Sequence, residues 1–347
     1  MTRAAPTPAA PAPTADRPPV RVRRGGRAAW AGAAGAAAVV AVLAYLPFLT
    51  SRGTQTSLVT LFSLVVLATM WNLLAGYGGM VSVGQQAYIG VGGYGLVVLA
   101  DAVGIDPFLA VPLAGLVCGL LAWPTSYLAF RLSGGYFAIG TWVIAEVVRL
   151  LVTQVDALGA GSGMSLGAFG RLGLAPVYRV AFVYWLGLGI AVVVVLGVYL
   201  LMRSRVGLAL TAIRDDPTAA GSSGVRVTDA KRLVYVVAAV GCGLAGALLV
   251  ANTLRVQPCA AFGVDQAATM IFMVVIGGLG TIEGPLVGAL VYYLLQASLA
   301  DLGNWYLVIV GAVAVAVTLL APRGLWGTAT RGRLELFPVG HRVGPPP

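Results

Sequence analysis

Charge is scarce in this sequence: only 10% of its 347 residues are Asp, Glu, Lys or Arg, against roughly a quarter in ordinary soluble domains. With 59% hydrophobic residues, such a chain is read as a polytopic membrane protein. Histidine is nearly absent, with only His341 in the polar tail, and Cys118, Cys242 and Cys259 are too scattered for a Cys-x-x-Cys pattern. No catalytic or metal-ligating residue is therefore assigned. The single lysine, Lys231, is followed by Arg232, so no Gly-x-x-x-x-Gly-Lys phosphate loop exists and the chain lacks that route to ATP hydrolysis. Carboxylates along the apolar runs are equally rare. Glu146 is the one convincingly inside a run, which speaks against a proton relay or an ion-coupled carrier. Sustained apolar/polar alternation is also missing, which excludes a membrane β-barrel.

What the chain does have is a series of apolar runs near the length of a membrane-crossing helix. Ten are read: Ala28 to Leu49, Thr56 to Ala75, Val81 to Ala100, Pro107 to Phe130, Tyr136 to Val152, Val180 to Met202, Leu233 to Asn252, Gln266 to Gly280, Pro285 to Ala300 and Trp305 to Leu320. The expected fold is an all-α polytopic membrane protein with about ten transmembrane segments. The net charge of +10 follows membrane topology, not nucleic-acid binding. With a cytoplasmic amino terminus, the inner side receives the basic residues of the first 27 residues, Arg131, those from Arg203 to Arg232, and Arg323, Arg331, Arg333 and Arg342. Only Arg52, Arg171, Arg179 and Arg255 remain outside. That bias places both termini in the cytoplasm. Residues 1–27, rich in Pro and Ala, read as a disordered cytoplasmic tail, residues 28–321 as the membrane domain and residues 322–347 as a second cytoplasmic tail. The first apolar run is too long and too far from Met1 for a cleaved leader.

Leading from the end of the second run into the third lies "GYGGMVSVGQQAYIGVGGYG", Gly76 to Gly95. Its glycines allow helix backbones to approach closely, as do Gly115 and Gly119, and the i, i+4 line Gly280, Gly284 and Gly288. Ser82, Gln85 and Gln86 have the spacing of one helical face. Hydrogen-bonding groups at membrane depth need partners, so these three either join helices or line a polar translocation path. Glu146 and Arg149, three residues apart, are expected to pair; a structural ion pair is favoured, with an outer gate or receptor contact as the alternative. Glu283 is expected to face cytoplasmic water or to cap the helix around Pro285. Asn72 and Asn252 are candidates for bonds between helices.

The largest polar insertion runs from residue 203 to 232. It reads as two short helices, Val206 to Arg214 and Asp216 to Ser223, stopped near Gly224, with Asp216 as N-cap and Pro217 as first helical residue.

Four blocks in order, the glycine-rich stretch, "RLSGGYFAIGTWVIAEVVRLL" (Arg131 to Leu151), "GLALTAIRDDPTAAGSSGVRV" (Gly207 to Val227) and "MVVIGGLGTIEGPLVGAL" (Met273 to Leu290), resemble bacterial branched-chain amino-acid ABC transporter permeases of the M type. The resemblance implies a subunit of an importer in the bacterial cytoplasmic membrane. Its implied partners are a second homologous permease, two cytoplasmic ATP-binding subunits and an extracytoplasmic solute-binding protein. Membrane lipid surrounds it, and no nucleic acid is bound. No cofactor is expected on the chain itself, since ATP is used by the partner subunits. The loop 203–232 becomes the coupling element, with Gly207, Ala212, Arg214, Asp215, Asp216, Ala219 and Gly224 supplying small residues for close approach and charges for register. Urea or short amides are the alternative cargo, and an ion-coupled secondary transporter, a scaffold or an intramembrane enzyme are the alternative functions.

Overall fold

The computed structural model describes residues 21–23, 27–173, 175–299, 305–321, 323–330 and 342–344. The tails expected over residues 1–27 and 322–347 lie largely outside the described residues. Helices dominate: α1 (Arg27–Tyr45), α2 (Arg52–Asn72), α3 (Gln86–Val97), α4 (Pro107–Ala129), α5 (Gly135–Gln154), α6 (Ala168–Arg171), α7 (Pro176–Met202), α8 (Arg205–Asp215), α9 (Pro217–Ser222), α10 (Val227–Thr253), α11 (Pro258–Ala261), α12 (Val264–Gly277), α13 (Glu283–Leu299), α14 (Trp305–Leu320) and α15 (Gly324–Ala329). Two short antiparallel ladders accompany them: β1 (Arg21–Arg23) with β4 (Arg342–Gly344), and β2 (Met164–Ser165) with β3 (Arg255–Val256).

Helix occurs within each of the ten expected runs, and seven helices among the described residues are long and apolar enough to cross a membrane. The fold is thus an all-α polytopic membrane protein. Burial sorts its helices into layers. In α2 with its π-turn extension, Leu73–Tyr77, 78% of the apolar window is buried, and in α10 67%, against 17% in α5. α2 and α10 therefore form the centre. α4 and α5 present leucine, valine and aromatic side chains outward, among them Leu109, Leu120, Ile139 and Val143. Lipid tails are as apolar as these side chains, so tight packing, not hydrophobic burial, must hold such helices together. Glycine provides it between α3 and α10: a β-carbon at Gly92 would strike the backbone of Gly243, and one at Gly246 the backbone of Ile89. A buried polar cluster adds to this seam. The Tyr88 hydroxyl bonds Thr125 of α4 at 2.8 Å and Tyr235 of α10 at 3.0 Å. Asn252 ties α10 to α2 by donating to the Thr56 carbonyl at 3.0 Å.

The connections gather at two opposite ends. At one, the Gly76 carbonyl meets Arg214 and Asn72 meets Thr281, and Gly278 lies against Gly324. At the other, Asp101 bonds Arg171 and the Gly167 amide, and β2 pairs with β3.

Three expectations are corrected here. The third run is not one helix from Val81: the chain from Gly78 to Gln85 is non-helical, and α3 starts at Gln86. Gly79 stands at φ 65°, a left-handed conformation that breaks a helix and suits glycine. Gly280 is likewise not on a helix with Gly284 and Gly288, since it sits at φ 76° in the turn between α12 and α13. Of the two placements expected for Glu283, the one in water is corrected: it is only 6% exposed, and it stands at the start of the helix that carries Pro285, as the first residue of α13.

Candidate coupling and translocation site

Non-helical backbone at membrane depth survives only where protein covers it or it lines a wet cavity. The Gly78–Gln85 loop meets that condition through specific bonds. Met80 N–H donates to the Leu74 carbonyl at 2.9 Å, and Trp71 Nε1 to the Ser82 carbonyl at 2.9 Å. From α5, the Thr141 hydroxyl accepts the Val83 amide at 3.2 Å. A β-carbon at Gly84 would overlap the Thr141 backbone, so glycine is what lets α5 reach the loop. Ser82, Gln85 and Gln86 are all buried. They do not share a helical face, because Ser82 is in the loop, Gln85 caps α3 and Gln86 opens it. The loop nevertheless gathers two of them: Ser82 Oγ accepts the Gly84 amide at 3.3 Å and lies 3.4 Å from Gln85 Nε2. Among the described residues, Gln85 Oε1 and Gln86 Oε1 are buried without a hydrogen-bond partner. An unmet buried acceptor costs about 1–3 kcal/mol, so this pair of carbonyl groups stands ready for water or a polar solute.

The 203–232 insertion folds as two short helices. Ser204 caps α8 by accepting the Val206 amide. Asp216 caps α9, accepting the Thr218 and Ala219 amides at 2.8 and 3.0 Å, with Pro217 in the first turn. Gly224 ends the hairpin at φ 86°. Gly207, Leu210 and Ile213 bury one face of α8 against the membrane helices, while Ala212, Asp215, Asp216 and Ala219 are exposed. Arg214 does both. It is exposed at the end of α8, yet its guanidinium donates Nη1–H to the Gly76 carbonyl at 2.6 Å. The stem of Arg214 covers Gly79, and its Nη1 lies beside Gly280. Asn72 closes the same junction from α2: it donates to the Thr281 carbonyl and accepts the Gly280 amide, each at 2.8 Å. Sequence reasoning saw Asn72 as a helix-joining residue but not its partner, because a separation of 209 residues leaves no local signal.

The third motif supplies the turn of this junction. Gly284 and Gly288 bring α13 against α12, where a β-carbon on either would strike the carbonyl of Gly278 or Met273. Glu146 and Arg149 of α5 form a forked ion pair, with Arg149 Nε 3.0 and 2.9 Å from the two carboxylate oxygens and Nη2 closing the fork. Both are only partly covered by the chain: their side chains are 43% and 25% exposed, respectively.

Toward the opposite end, a cavity of about 320 Å³ opens between α3, α10, α11 and α12. Ile89, Leu249, Val250 and Val256 make its apolar wall, Arg255 and Gln266 its polar edge, and no acidic residue lines it. Arg255 makes no ion pair among the described residues.

The family model for the permease component of the branched-chain amino acid transport system matches residues 53–320. The chain is similar to the high-affinity branched-chain amino acid transport permease LivM of Salmonella typhimurium, 26% identical over 310 residues, covering 82% of this chain and 72% of the relative. It is also similar to a probable LivH permease of Methanocaldococcus jannaschii, 25% identical over 70% of this chain and 82% of the relative. A third relative, the ribose import permease RbsC of Escherichia coli K12, is 28% identical over 50% of this chain and 55% of its own length. No solved structure matches. Ordered motifs, a helical membrane fold and a match across most of its length make this chain a member of the branched-chain amino acid ABC permease family, of the LivM-like kind.

Proposed function

We propose that this chain is one permease subunit of an ATP-driven importer in the bacterial cytoplasmic membrane, passing branched-chain amino acids from a solute-binding protein to the cytoplasm. The observation that carries the reading is the junction at one end of the bundle. There an exposed two-helix hairpin is bonded, through Arg214, to the end of α2 at Gly76, directly before the loop that leads through Ser82 and Gln85 to Gln86. In this reading α8 and α9 dock on one of two ATP-binding subunits through Ala212, Asp215, Asp216 and Ala219. The end carrying α8 and α9 also bears Arg131, Arg203, Arg205, Arg226, Lys231, Arg232 and Arg323, while Arg52, Arg171, Arg179 and Arg255 lie toward the other. The basic bias supports a cytoplasmic hairpin and, with ten spans, cytoplasmic termini.

Ser82, Gln85 and Gln86 then belong to the translocation path, their unmet carbonyl oxygens serving water or the passing solute. The partly exposed Glu146–Arg149 pair supports a second permease subunit beside α5, because lipid is a costly neighbour for charge. For the cargo, the cavity combines an aliphatic wall with an unpaired guanidinium and no carboxylate. The aliphatic wall suits a branched apolar side chain and the Arg255 guanidinium a carboxylate, the two groups that a branched-chain amino acid carries. This match agrees with the function in the LivM name more than with that in the RbsC name.

Uptake of labelled leucine, urea, acetamide and ribose by the reconstituted complex tests the proposal. ATP-dependent leucine uptake at least tenfold above the others is expected. Uptake of urea alone overturns the cargo, and uptake that follows an ion gradient without ATP overturns the mechanism.

A further inference from the structure

Arg214 was expected on the docking surface of the coupling hairpin, and its neighbours Asp215 and Asp216 are exposed there. Its guanidinium points the other way. Two segments remote in sequence converge on it: the end of α2 with the glycine loop that follows, through the Gly76 carbonyl and Gly79, and the α12–α13 turn, through Gly280. Each contributes a glycine where a side chain would press on the arginine or on a neighbouring backbone. A β-carbon at Gly280 would lie 3.1 Å from Arg214 Nη1, one at Gly79 3.3 Å from Arg214 Cγ, and one at Gly76 2.7 Å from the Gly280 nitrogen. Both Gly79 and Gly280 have positive φ, so a substituent there is strained whatever the space. Behind them Asn72 binds the Gly280 amide and the Thr281 carbonyl, and Trp71, next in sequence, holds the Ser82 carbonyl.

We propose that Arg214 is the positioning residue that transmits movement of the α8–α9 hairpin to the Gly78–Gln85 loop and the α12–α13 turn, and that it is not a docking contact for the ATP-binding subunit. This inference rests on the coupling role of the hairpin. The physical reason lies in the difference between its two attachments. The buried face of α8, Gly207, Leu210 and Ile213, is an apolar contact that tolerates sliding. The Arg214 bond is charge-assisted, directional and aimed at a backbone carbonyl in the π-turn of α2. A π-turn is a single extra-residue widening of a helix and is found often where helices yield at functional sites. Rotation of α8 therefore draws on Gly76 and, through the shared turn, on Gly280, so the segments on either side of Ser82 move with the hairpin.

The test uses the full reconstituted transporter in nanodiscs, with Cys259 replaced by serine and a single reporter, Val81→Cys, placed in the loop, where the native side chain is 52% exposed. Reporter labelling is compared with and without ATP and vanadate. In the parent, nucleotide is expected to change the labelling rate. In Arg214→Gln, the ATP-binding subunits stay bound on size exclusion, while the nucleotide effect on labelling disappears and uptake falls by roughly five- to a hundred-fold, the usual range of coupling between sites. Arg214→Lys, which keeps a charged donor without the fork, retains assembly and an intermediate response. Loss of the ATP-binding subunits from either variant makes Arg214 a docking contact and overturns the proposal. So does an unchanged labelling response together with normal uptake. The underlying coupling role is judged separately by Ala219→Trp on the exposed face of α9: if that variant assembles and transports normally, the hairpin is not the docking element.

Discussion

At the scale of single residues, the glutamines of the glycine-rich motif separate a structural from a transport role. Gln85 and Gln86 are buried, and their side-chain oxygens have no partner among the described residues. Removing an unmet acceptor and leaving a similar apolar shape is neutral or stabilising. Gln86→Leu is therefore expected to keep or raise the unfolding midpoint in detergent, and Gln85→Leu, which also gives up the long Nε2 bond to Ser82 Oγ, to leave it near the parent value. Uptake is expected to fall about tenfold for each, equivalent to one interaction of ~1.4 kcal/mol. A falling midpoint with intact uptake would make them helix-joining residues. Their residue types were legible in the sequence as polar groups in an apolar run, but their arrangement was not. Helical spacing set Ser82, Gln85 and Gln86 on one face, whereas the left-handed Gly79 breaks the helix and leaves Ser82 in a loop.

At the scale of elements, glycine spacing marks where backbones touch, but only the fold says which glycines share a helix. Gly288 abuts the Met273 carbonyl across α12–α13, whereas Gly311 of α14 has open space about it. Gly288→Leu should destabilise the protein by about 1–3 kcal/mol through overpacking, read as a lower midpoint in detergent. Gly311→Leu should leave the midpoint within error. Equal effects of the two would mean that α12 and α13 do not pack through this glycine. The α8–α9 hairpin was the most legible element of the chain. Its caps are local: Asp216 serves the amides two and three residues ahead, and Pro217 needs no amide partner in a first turn. For Glu283 the local pattern left water or the start of the helix around Pro285 open, and the fold has it buried at the start of α13.

At the scale of the whole molecule, the two ends of the bundle give a topology that can be checked directly. With Cys259 replaced by serine, the remaining Cys118 and Cys242 are buried, so introduced thiols report alone. Thr218→Cys on α9 should resist an impermeant maleimide in intact cells and react in inverted vesicles. Asp156→Cys, exposed toward the opposite end, should do the reverse. Labelling of Thr218→Cys from outside would place the hairpin away from ATP and end the coupling proposal.

Composition and the order of apolar residues determined that this chain is a helical membrane protein, because a chain so apolar can satisfy its backbone in lipid only within helices or a closed barrel, and alternation for a barrel is missing. The order of its motifs also marked the family. Tertiary structure decided which motifs meet. The glycine-rich stretch, the Arg-Asp-Asp-Pro hairpin and the Gly-Leu-Gly turn lie far apart in the chain, yet Arg214, Gly76 and Gly280 form one junction. Hydropathy and helical period describe each segment in its own surroundings. A guanidinium that reaches a carbonyl 138 residues away is set by how the helices stack, and no local pattern encodes it.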